Sequence, residues 1–462
     1  MPMLGAILTP HPPVLLPEVG RGREREIDAT GRAMRTAAEE VARWAPDVLI
    51  VASPHTIMYS DYFHISPGSG AAGDMSAFGA PQVRIEAEYD APLRDAIVAS
   101  AQDAGLEAGT LGQREPQLDH GVLIPLYFLR KAGVNCPIVR MGLSGFSPLD
   151  HYRLGQCVAE AVDKLGRRAV FVASGDLSHK LKADGPYGFA PEGPVFDEAV
   201  TQAMATGDFL RFLTMDPSLC ERAAECGLRS FQMMSGALDG LAVEPRLLSH
   251  EGPFGVGYAV ALFPVTGRDE SRRFAEACER AERERLDRRR ANEDAWVRLA
   301  RLSLETYVRT GKRLKSLPDG LPAELTDEAA GAFVSLHTGG RLRGCIGTIA
   351  PTAKCVADEI VQNAVSAGTR DPRFPPVSAD ELPELEYSVD VLGEPEPVDS
   401  PSQLDPKVYG VIVSCGRRRG LLLPDLDGVD TVAQQLDIAR QKGGIRADEP
   451  CKIERFKVVR HL

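Results

Sequence analysis

The sequence predicts an α/β fold, a mainly parallel-sheet α/β sandwich, followed by a separate α+β domain. Two observations lead to this prediction. The chain has 462 residues, which is more than one hydrophobic core usually supports, so more than one domain is expected. Over residues 1–266, short continuous apolar runs alternate with helical stretches. Such runs are typical of strands that are buried on both faces of a parallel sheet.

The apolar runs of the first domain are the predicted strands, in the order LGAIL, DVLIVAS, CPIVRMG, AVFVAS and GYAVALF. The first of them covers Leu4–Leu8 and ends at a loop. Helical stretches lie between the runs, among them EIDATGRAMRTAAEEVARWA and LGQCVAEAVDKLG. Alternation of this kind favours helices that sandwich a mainly parallel sheet.

A highly charged segment separates the two domains. Residues 268–290 read RDESRRFAEACERAERERLDRRR, in which Glu276 and Arg280 are four residues apart and can support an exposed helix. We therefore predict a solvated connecting helix over residues 267–292 and a second domain over residues 293–462. That domain begins with a helical stretch and then mixes strand and helix patterns, namely AWVRLARLSLETYV, AFVSLH, VADEIVQNAVSAG, LEYSVDVL and YGVIVSC.

Charge and cysteine content limit the function classes. The chain has 53 basic and 65 acidic residues, a net charge of −12, so neither nucleic acid nor an anionic membrane is an expected partner. Nine cysteines without a CxxC pair indicate reduced thiols. No apolar stretch of about 20 residues predicts a transmembrane helix, and the N-terminus lacks the basic residues of a signal peptide. We expect a cytoplasmic protein, and a homo-oligomer is left open.

Histidines follow three of the predicted strands at similar positions. His11 follows LGAIL, His55 follows DVLIVAS, and His179 follows AVFVAS. Because the carboxyl ends of parallel strands meet at one edge of a sheet, a shared site is expected there, although a hydrogen-bonded loop histidine is the alternative for each. His120 lies in QLDHGVLIPLYFL, where it either begins a helix capped by Asp119 or points into the same cleft. Three other histidines lack this context and are expected to be structural or on the surface: His64, His151 and His250.

Five short motifs of the first domain together resemble those of a known family. TPHPP, SPHT, LDHGVLIPL, SGDLSHK and GPYGFAPEGPVFDE resemble the LigB-type class III extradiol dioxygenases in order and spacing, over most of residues 3–265. The related Memo proteins share this fold. The resemblance implies a mononuclear non-haem iron(II) site with His11 and His55 as ligands. It also implies that His179 is the acid/base and that His120 lies beside the ligands or the substrate.

The implied chemistry suits these residue types. Two histidines and one carboxylate on one face of an iron(II) ion leave positions open for a small aromatic diol and for dioxygen. A histidine such as His179 can exchange the proton of a phenol, because an imidazole titrates near neutrality. Asp176, in SGDLSH, either caps a turn or orients His179 through a hydrogen bond.

The third ligand is ambiguous in the segment AAECGLRSFQMMSGAL. Glu225 matches the glutamate of the dioxygenases and is the favoured ligand. Cys226, which is followed by Gly227, matches the cysteine of the Memo proteins. A thiolate at this position would favour zinc or copper over iron.

The second domain contains the motif VSLHTGGRLRGCIGTIAP. Cys345 lies between two glycines, and Arg341 and Arg343 lie close enough in sequence to favour a thiolate or to bind an anion. The alternative is a buried cysteine with surface arginines. This motif, with DPRFPPVSADELPELEYSVDVL, GLLLPD and QKGGI, resembles the AMMECR-type domain over about residues 293–460. That family belongs to the AmmeMemoRadiSam set, so the resemblance implies a radical-SAM protein partner. This chain has no CxxxCxxC triad of its own.

Three interpretations of the function follow. The first is an iron(II)-dependent extradiol-type dioxygenase domain fused to an AMMECR-type domain. The second is a Memo-like metal-binding scaffold that serves redox chemistry or protein modification without ring cleavage. The third is a zinc hydrolase, because two histidines and a carboxylate also suit zinc and its bound water.

Overall fold

The computed structural model describes residues 2–339, 341–426, 429 and 431–462. The chain divides into two compact units, which we call unit 1 (Met1–Arg283) and unit 2 (Glu284–Leu462). Within the described residues, no helix combines the length and apolar character that a membrane span needs.

Unit 1 is built on a mixed sheet with helices on both faces. Its strands are β1 (Met3–Thr9), β2 (Val48–Ser53), β3 (Phe63–His64), β4 (Gly70–Met75), β5 (Ala80–Glu88), β6 (Ala108–Gly109), β7 (Ile138–Gly142), β8 (Ala169–Ser174), β9 (Leu241–Val243), β10 (Arg246–Glu251) and β11 (Tyr258–Arg268). Its helices are α1 (Pro17–Gly20), α2 (Asp28–Trp44), α3 (Ala91–Asp103), α4 (His120–Lys131), α5 (Pro148–Lys164), α6 (Glu192–Thr206), α7 (Phe209–Leu213), α8 (Pro217–Ala223) and α9 (Leu228–Ala237).

The seven-stranded sheet has the order β10-β11-β1-β8-β2-β7, with β9 paired to β11. The strands β1, β8, β2 and β7 run parallel to one another, whereas β11 runs antiparallel to β1. The α/β prediction is therefore confirmed. The run GYAVALF forms part of β11, which is antiparallel to both of its neighbours, β1 and β10.

Alternate residues of the central strands contribute to separate cores on the two faces of the sheet. Ala6 and Leu8 of β1 pack with α3, α5, α6 and α9, whereas Ile7 packs with α2 and α4. Successive side chains of a strand point to opposite faces, so both faces of these strands must be apolar. This is why the strands appear in the sequence as continuous apolar runs.

Glycines allow α5 and α9 to pack unusually closely. A Cβ on Gly155 would lie 2.0 Å from the Met233 carbonyl oxygen, and one on Gly236 would lie 1.8 Å from that of Tyr152. Only residues without a Cβ can occupy these positions. The contact holds α9 against α5 and so determines where the segment before α9 lies.

The charged segment is only partly helical. Helix α10 covers Ala275–Asn292, whereas the segment before it completes β11, whose Arg268 pairs with Leu241. A neighbouring strand therefore overrides the local charge pattern at the beginning of the segment.

Unit 2 contains two four-stranded sheets, and the prediction of a separate α+β domain is confirmed. Their orders are β13-β12-β14-β19 and β15-β18-β16-β17. The elements are α11 (Ala295–Thr310), α12 (Ala323–Thr326), β12 (Ala332–Thr338), β13 (Arg341–Gly347), α13 (Val356–Thr369), β14 (Glu386–Leu392), β15 (Glu396–Pro397), β16 (Gly410–Cys415), β17 (Arg418–Leu422), α14 (Val432–Lys442), β18 (Lys452–Phe456) and β19 (Val458–His461). Helices α11 and α13 pack on the first sheet, and α14 packs on the second.

Candidate metal centre

His11 lies two residues beyond β1, and its hydrogen bonds determine its tautomer. Its Nδ1 is 2.9 Å from Ser174 Oγ, and that hydroxyl donates to the Gly121 carbonyl oxygen at 2.6 Å. A hydroxyl has one proton to donate, so Ser174 must accept from Nδ1–H of His11. The Nε2 atom of His11 is therefore unprotonated and carries a lone pair. Burial, together with His55, lowers the pKa of His11 to about 3, so the ring is neutral.

Two further donor atoms face this nitrogen. His55 Nε2 is 3.0 Å from His11 Nε2, and Cys226 Sγ is 3.8 Å from it. The three donor atoms lie within 4.8 Å of one another. In a tetrahedral site with bonds of about 2.0–2.3 Å, donors lie about 3.3–3.6 Å apart. The three side chains therefore fit one transition-metal ion.

Cys226 reaches the histidines because two glycine backbones touch. A Cβ on Gly175, directly after β8, would lie 2.0 Å from the Gly227 Cα. With no Cβ in the way, the Asp176 backbone N–H donates to Cys226 Sγ at 3.3 Å. Burial holds the pKa of the Cys226 thiol well above its ordinary value. A bound cation would supply the positive charge that a thiolate needs here.

Glu225 is not part of this group, which corrects the preference stated for it. Its carboxylate accepts a hydrogen bond from the Leu228 backbone N–H at 2.7 Å, in the first turn of α9. Adjacent residues project in different directions, and capping the helix end uses the glutamate. The structure places the alternative, Cys226, with His11 and His55.

His120 both begins a helix capped by Asp119 and lies beside the other histidines, as its sequence context suggested. It is the first residue of α4, and the Asp119 side chain caps that helix by accepting from the Val122 N–H at 3.1 Å. The His120 ring also lies 4.0 Å from the His55 ring, between centroids. Burial, with His55 and His11, lowers its pKa to about 3, so it is a neutral side chain at the edge of the centre.

A buried ion pair supports the loop that carries His55. Arg140, on β7, is fully buried and donates to Asp119 Oδ2 at 2.9 Å and to Thr56 Oγ1 at 3.1 Å. Asp119 also accepts from Ser53 Oγ at 2.7 Å, and Ser53 Oγ accepts from the His55 backbone N–H at 3.2 Å. The sequence analysis missed Arg140. Its position as the one charged residue inside the apolar run CPIVRMG could have indicated a buried, paired side chain.

His179 lies beside the donor group without joining it. Its ring stacks on Tyr187 with centroids 5.0 Å apart, and it interacts electrostatically with Asp176 and His55. Within the described residues, its buried Nε2 has no hydrogen-bond partner. Burial lowers its pKa, which favours the neutral imidazole. Tyr187 was also missed by the sequence analysis, although it lies in the recognised motif GPYGFAPEGPVFDE.

Asp176 acts on His11, so the hypothesis that it orients His179 through a hydrogen bond is wrong for the described contacts. Its Oδ1 accepts from the His11 backbone N–H at 2.8 Å, and its Oδ2 is 3.9 Å from His11 Nε2. Burial raises its pKa to about 6. The carboxylate therefore holds the His11 loop against the end of β8.

The other three histidines of unit 1 lie outside the donor group. His64 Nδ1 contacts the Leu111 carbonyl at 3.1 Å, and His250 Nε2 pairs with Asp197 at 2.9 Å. The surface position expected for His151 is wrong, because this residue is fully buried in the first turn of α5.

Cys345 lies on β13 in unit 2, next to an arginine that the sequence analysis did not select. Its Sγ accepts from Ser335 Oγ at 3.2 Å, and Arg373, which interacts electrostatically with it, also donates to its carbonyl oxygen at 3.4 Å. Arg343 is instead paired with Glu381 at 2.6 Å, so its expected role at the thiol is corrected.

Arg341 is the other arginine that the sequence analysis selected in this motif. Arg341 lies at the exposed beginning of β13, opposite Thr338. Burial raises the pKa of the Cys345 thiol, which favours its protonated form. A catalytic role for Cys345 stays a prediction.

Comparisons with known families agree with both units. The family model described as the catalytic LigB subunit of aromatic ring-opening dioxygenase matches residues 5–261, and the AMMECR1 model matches residues 297–461. A protein of Clostridium acetobutylicum is 39% identical over 477 aligned residues, covering 100% of this chain and 99% of that protein. A protein of Thermotoga maritima is 55% identical over 172 residues, which is 37% of this chain and 98% of that protein.

Two solved structures are similar to part of this chain. An uncharacterized protein from Pyrococcus horikoshii aligns at a TM-score of 0.34 and 32% identity, covering 36% of this chain and 88% of that one. An uncharacterized protein from Escherichia coli K12 aligns at a TM-score of 0.39 and 17% identity, covering 56% of this chain and 99% of that one. Because the LigB model spans more than half of the sequence, this chain belongs to the LigB family and fuses its LigB domain to an AMMECR1 domain.

Proposed function

We propose that unit 1 is a metal-dependent oxidoreductase that binds one redox-active ion through His11, His55 and Cys226 and takes a small aromatic diol and dioxygen as substrates. The observation that carries this proposal is the group of two imidazoles and one sulfur within 4.8 Å. Membership of the LigB family supports the oxidative chemistry. Iron(II) is the ion that suits the family, and the sulfur also admits copper or zinc.

A bound iron or copper ion would supply the path by which electrons pass from the diol to dioxygen. The protein's own contribution begins with His11, whose protonated Nδ1 is held by Ser174, so that Nε2 faces the centre in one fixed orientation. Such supporting hydrogen bonds fix the orientation of a ligand side chain and raise its basicity. The Asp119 and Arg140 pair holds the His55 loop in the same way.

His179 is the residue best placed to move a proton. Its Nε2 has no partner among the described residues, its imidazole is neutral, and its stacking on Tyr187 restrains the ring. A neutral imidazole with a free nitrogen can accept the proton of a substrate hydroxyl and return it later in the reaction. His120 lies beside His55, with ring centroids 4.0 Å apart, and would contact the bound substrate.

A second candidate function is a Memo-like metal-binding scaffold without ring cleavage. The specific observation in its favour is Cys226 at the position where ring-cleaving iron sites use a carboxylate. A thiolate ligand shifts the metal preference of a site toward softer ions.

The ligand set is tested with two neighbouring variants, Cys226→Ser and Glu225→Gln. Metal content is measured on untagged full-length protein, after loading with iron(II), copper or zinc in separate samples. We expect Cys226→Ser to lose most of the bound metal and Glu225→Gln to retain it, since only the sulfur faces the histidines. The opposite result, with metal lost from Glu225→Gln alone, would contradict the assigned ligand set.

The reaction is tested by pairing metal content with oxygen uptake in the presence of a panel of catechols. In His179→Gln, metal content should stay near that of the wild type while oxygen uptake falls by about 10²–10⁴-fold, the usual contribution of a positioned acid/base. Parallel loss of metal and activity would make His179 a ligand. A wild-type protein that holds metal but consumes no oxygen with any catechol would favour the scaffold.

A further inference from the structure

Two of the free cysteines in unit 2 lie at adjoining ends of two paired strands. The pairing of β16 with β18 is antiparallel, and its final pair is Ser414 opposite Lys452. Continuing this register by one step pairs Cys415, the last residue of β16, with Cys451, which directly precedes β18. The cysteines are 36 positions apart in sequence, which is why the sequence analysis did not connect them.

The hydrogen-bond pattern shows which type of pair they form. The Val398 backbone N–H donates to the Ile453 carbonyl oxygen at 2.9 Å, so the backbone polar groups of Ile453 point away from β16. Ile453 and Val413 are therefore a non-hydrogen-bonded pair. Because pair types alternate along antiparallel strands, the pair two positions further on is of the same type.

This type of pair brings side chains closest together. Directly opposed residues in a non-hydrogen-bonded pair have Cα atoms about 4.5 Å apart. A disulfide spans Cα distances of about 4.4–6.8 Å. The expected backbone separation of Cys415 and Cys451 therefore permits a disulfide without moving either strand.

The two side chains also share a face and are accessible. Cys415 and Cys451 both pack at the edge of the core formed by Val411, Val413 and their neighbours, and both are half-buried free thiols. The Cys415 sulfur contacts Arg418 Nη2 at 3.6 Å and Glu449 at 3.5 Å. Because neither thiol is fully buried, a small oxidant can reach the edge of this sheet.

We propose that Cys415 and Cys451 are a reversible redox modification site that closes an intramolecular disulfide. The oxidant is a low-molecular-weight disulfide such as oxidised glutathione. One cysteine thiolate attacks it and releases one glutathione, and the second cysteine then displaces the bound glutathione. Both cysteines lose their protons and one electron each, one S–S bond forms, one breaks, and two glutathione thiols result.

The bond would close a loop that contains β17 and α14. The second step is intramolecular, so it competes well against attack by free thiols. The site is therefore expected to favour the internal disulfide over a stable glutathione adduct.

The test exposes the folded, reduced full-length protein to oxidised glutathione, blocks the remaining thiols with an alkylating reagent, and maps the peptides by mass spectrometry. The wild type should yield a peptide pair joined through Cys415 and Cys451 that separates on reduction. In Cys415→Ser or Cys451→Ser, the remaining cysteine should instead carry a glutathione adduct, at about tenfold the wild-type level. Cys136→Ser, which removes a half-buried cysteine of unit 1, is the matched control and should leave the joined peptides unchanged.

Three results would overturn the proposal. The first is a wild-type protein in which both cysteines carry glutathione and no joined peptide forms. The second is a joined peptide that forms only in denaturant. The third is equal adduct formation in the wild type and in the single variants. Mapping the wild type decides the matter even if a variant folds poorly.

Discussion

Replacement of Asp119 by asparagine tests whether the buried pair beneath the candidate centre stabilises unit 1. The Asp119 carboxylate accepts hydrogen bonds from Ser53 Oγ, Thr56 Oγ1, Arg140 Nη2 and the Val122 N–H. An amide keeps one oxygen, so two of these four donors would face an NH₂ group. The charge opposite Arg140 would be lost as well.

The magnitude follows from the burial of Arg140, whose side chain has 0% exposure. Removing one partner of a buried ion pair leaves an uncompensated charge and costs about 3–5 kcal/mol. Asparagine caps a helix about as well as aspartate, so the cap itself contributes little to the difference. We expect Asp119→Asn to lower the free energy of unfolding of unit 1 by about 3–5 kcal/mol.

Asp90→Asn is the matched control, because Asp90 also caps a helix and pairs with an arginine. It accepts from the Leu93 N–H at 3.0 Å and lies 3.1 Å from Arg167, whose side chain is 40% exposed. Because Arg167 is solvent-exposed and can be hydrated when the pair is broken, this pair is expected to contribute only about 0–1 kcal/mol. The control variant should therefore lose no more than about 1 kcal/mol.

The assay is urea denaturation in a Trp296→Phe background, in which Trp44 alone reports unit 1. The effect should depend on pH. Burial alone would raise the pKa of Asp119, but Arg140 and the two hydroxyl donors hold it below its usual value. A carboxyl with a lowered pKa in the folded state contributes stability above its unfolded pKa of about 3.9, and that contribution is lost as the pH falls. The difference between wild type and Asp119→Asn should therefore be full at pH 7 and shrink on acidification.

Two results would refute this reasoning. If Asp119→Asn costs no more than Asp90→Asn at pH 7, the buried arginine does not depend on Asp119. If the difference between wild type and variant is the same at pH 7 and at about pH 2, well below the unfolded pKa of about 3.9, Asp119 does not titrate as assigned.

Two further predictions follow from contacts at Gly175 and Asp371. Gly175→Ala should lower metal occupancy well below that of the wild type, because the added Cβ would lie 2.0 Å from the Gly227 Cα. The control is Gly267→Ala, where an added Cβ would meet no atom closer than 3.9 Å. The control should leave occupancy unchanged in the same metal analysis. Asp371→Asn should destabilise unit 2 by about 1.5–3 kcal/mol, the usual contribution of one hydrogen bond to a charged group, because the amide keeps one oxygen and loses one of the two hydrogen bonds from Arg373. Arg373 holds the pKa of Asp371 far below its usual range, so this contribution should be present above about pH 4 and lost on acidification, as followed by the fluorescence of the tryptophan in unit 2. An unchanged metal content in Gly175→Ala, or an unchanged acid transition in Asp371→Asn, would contradict the respective assignment.

The sequence by itself determined the α/β class of unit 1 and the strands that present His11 and His55. Continuous apolar runs identify strands buried on both faces, and residues that follow parallel strands converge at one edge whatever their separation in sequence. The resemblance to the LigB and AMMECR families was also available from local motifs, and the family models confirm it.

Only the tertiary structure shows that Cys226, and not Glu225, lies in the group with His11 and His55. Both side chains are chemically able to bind a metal, and neighbouring residues differ only in direction. That direction is set by the contact between Gly175 and Gly227 and by the cap that Glu225 makes on α9. Neither contact has a signature within the local sequence.

The same reason applies to partners that are distant in sequence. Arg140 meets Asp119, and Cys415 and Cys451 come to adjoining ends of paired strands, because strand register and packing bring separate segments together. The order of residues along a chain specifies which face or edge each one occupies. Which residues meet there depends on the registers and crossings of the folded elements, and these are properties of the whole core rather than of any segment.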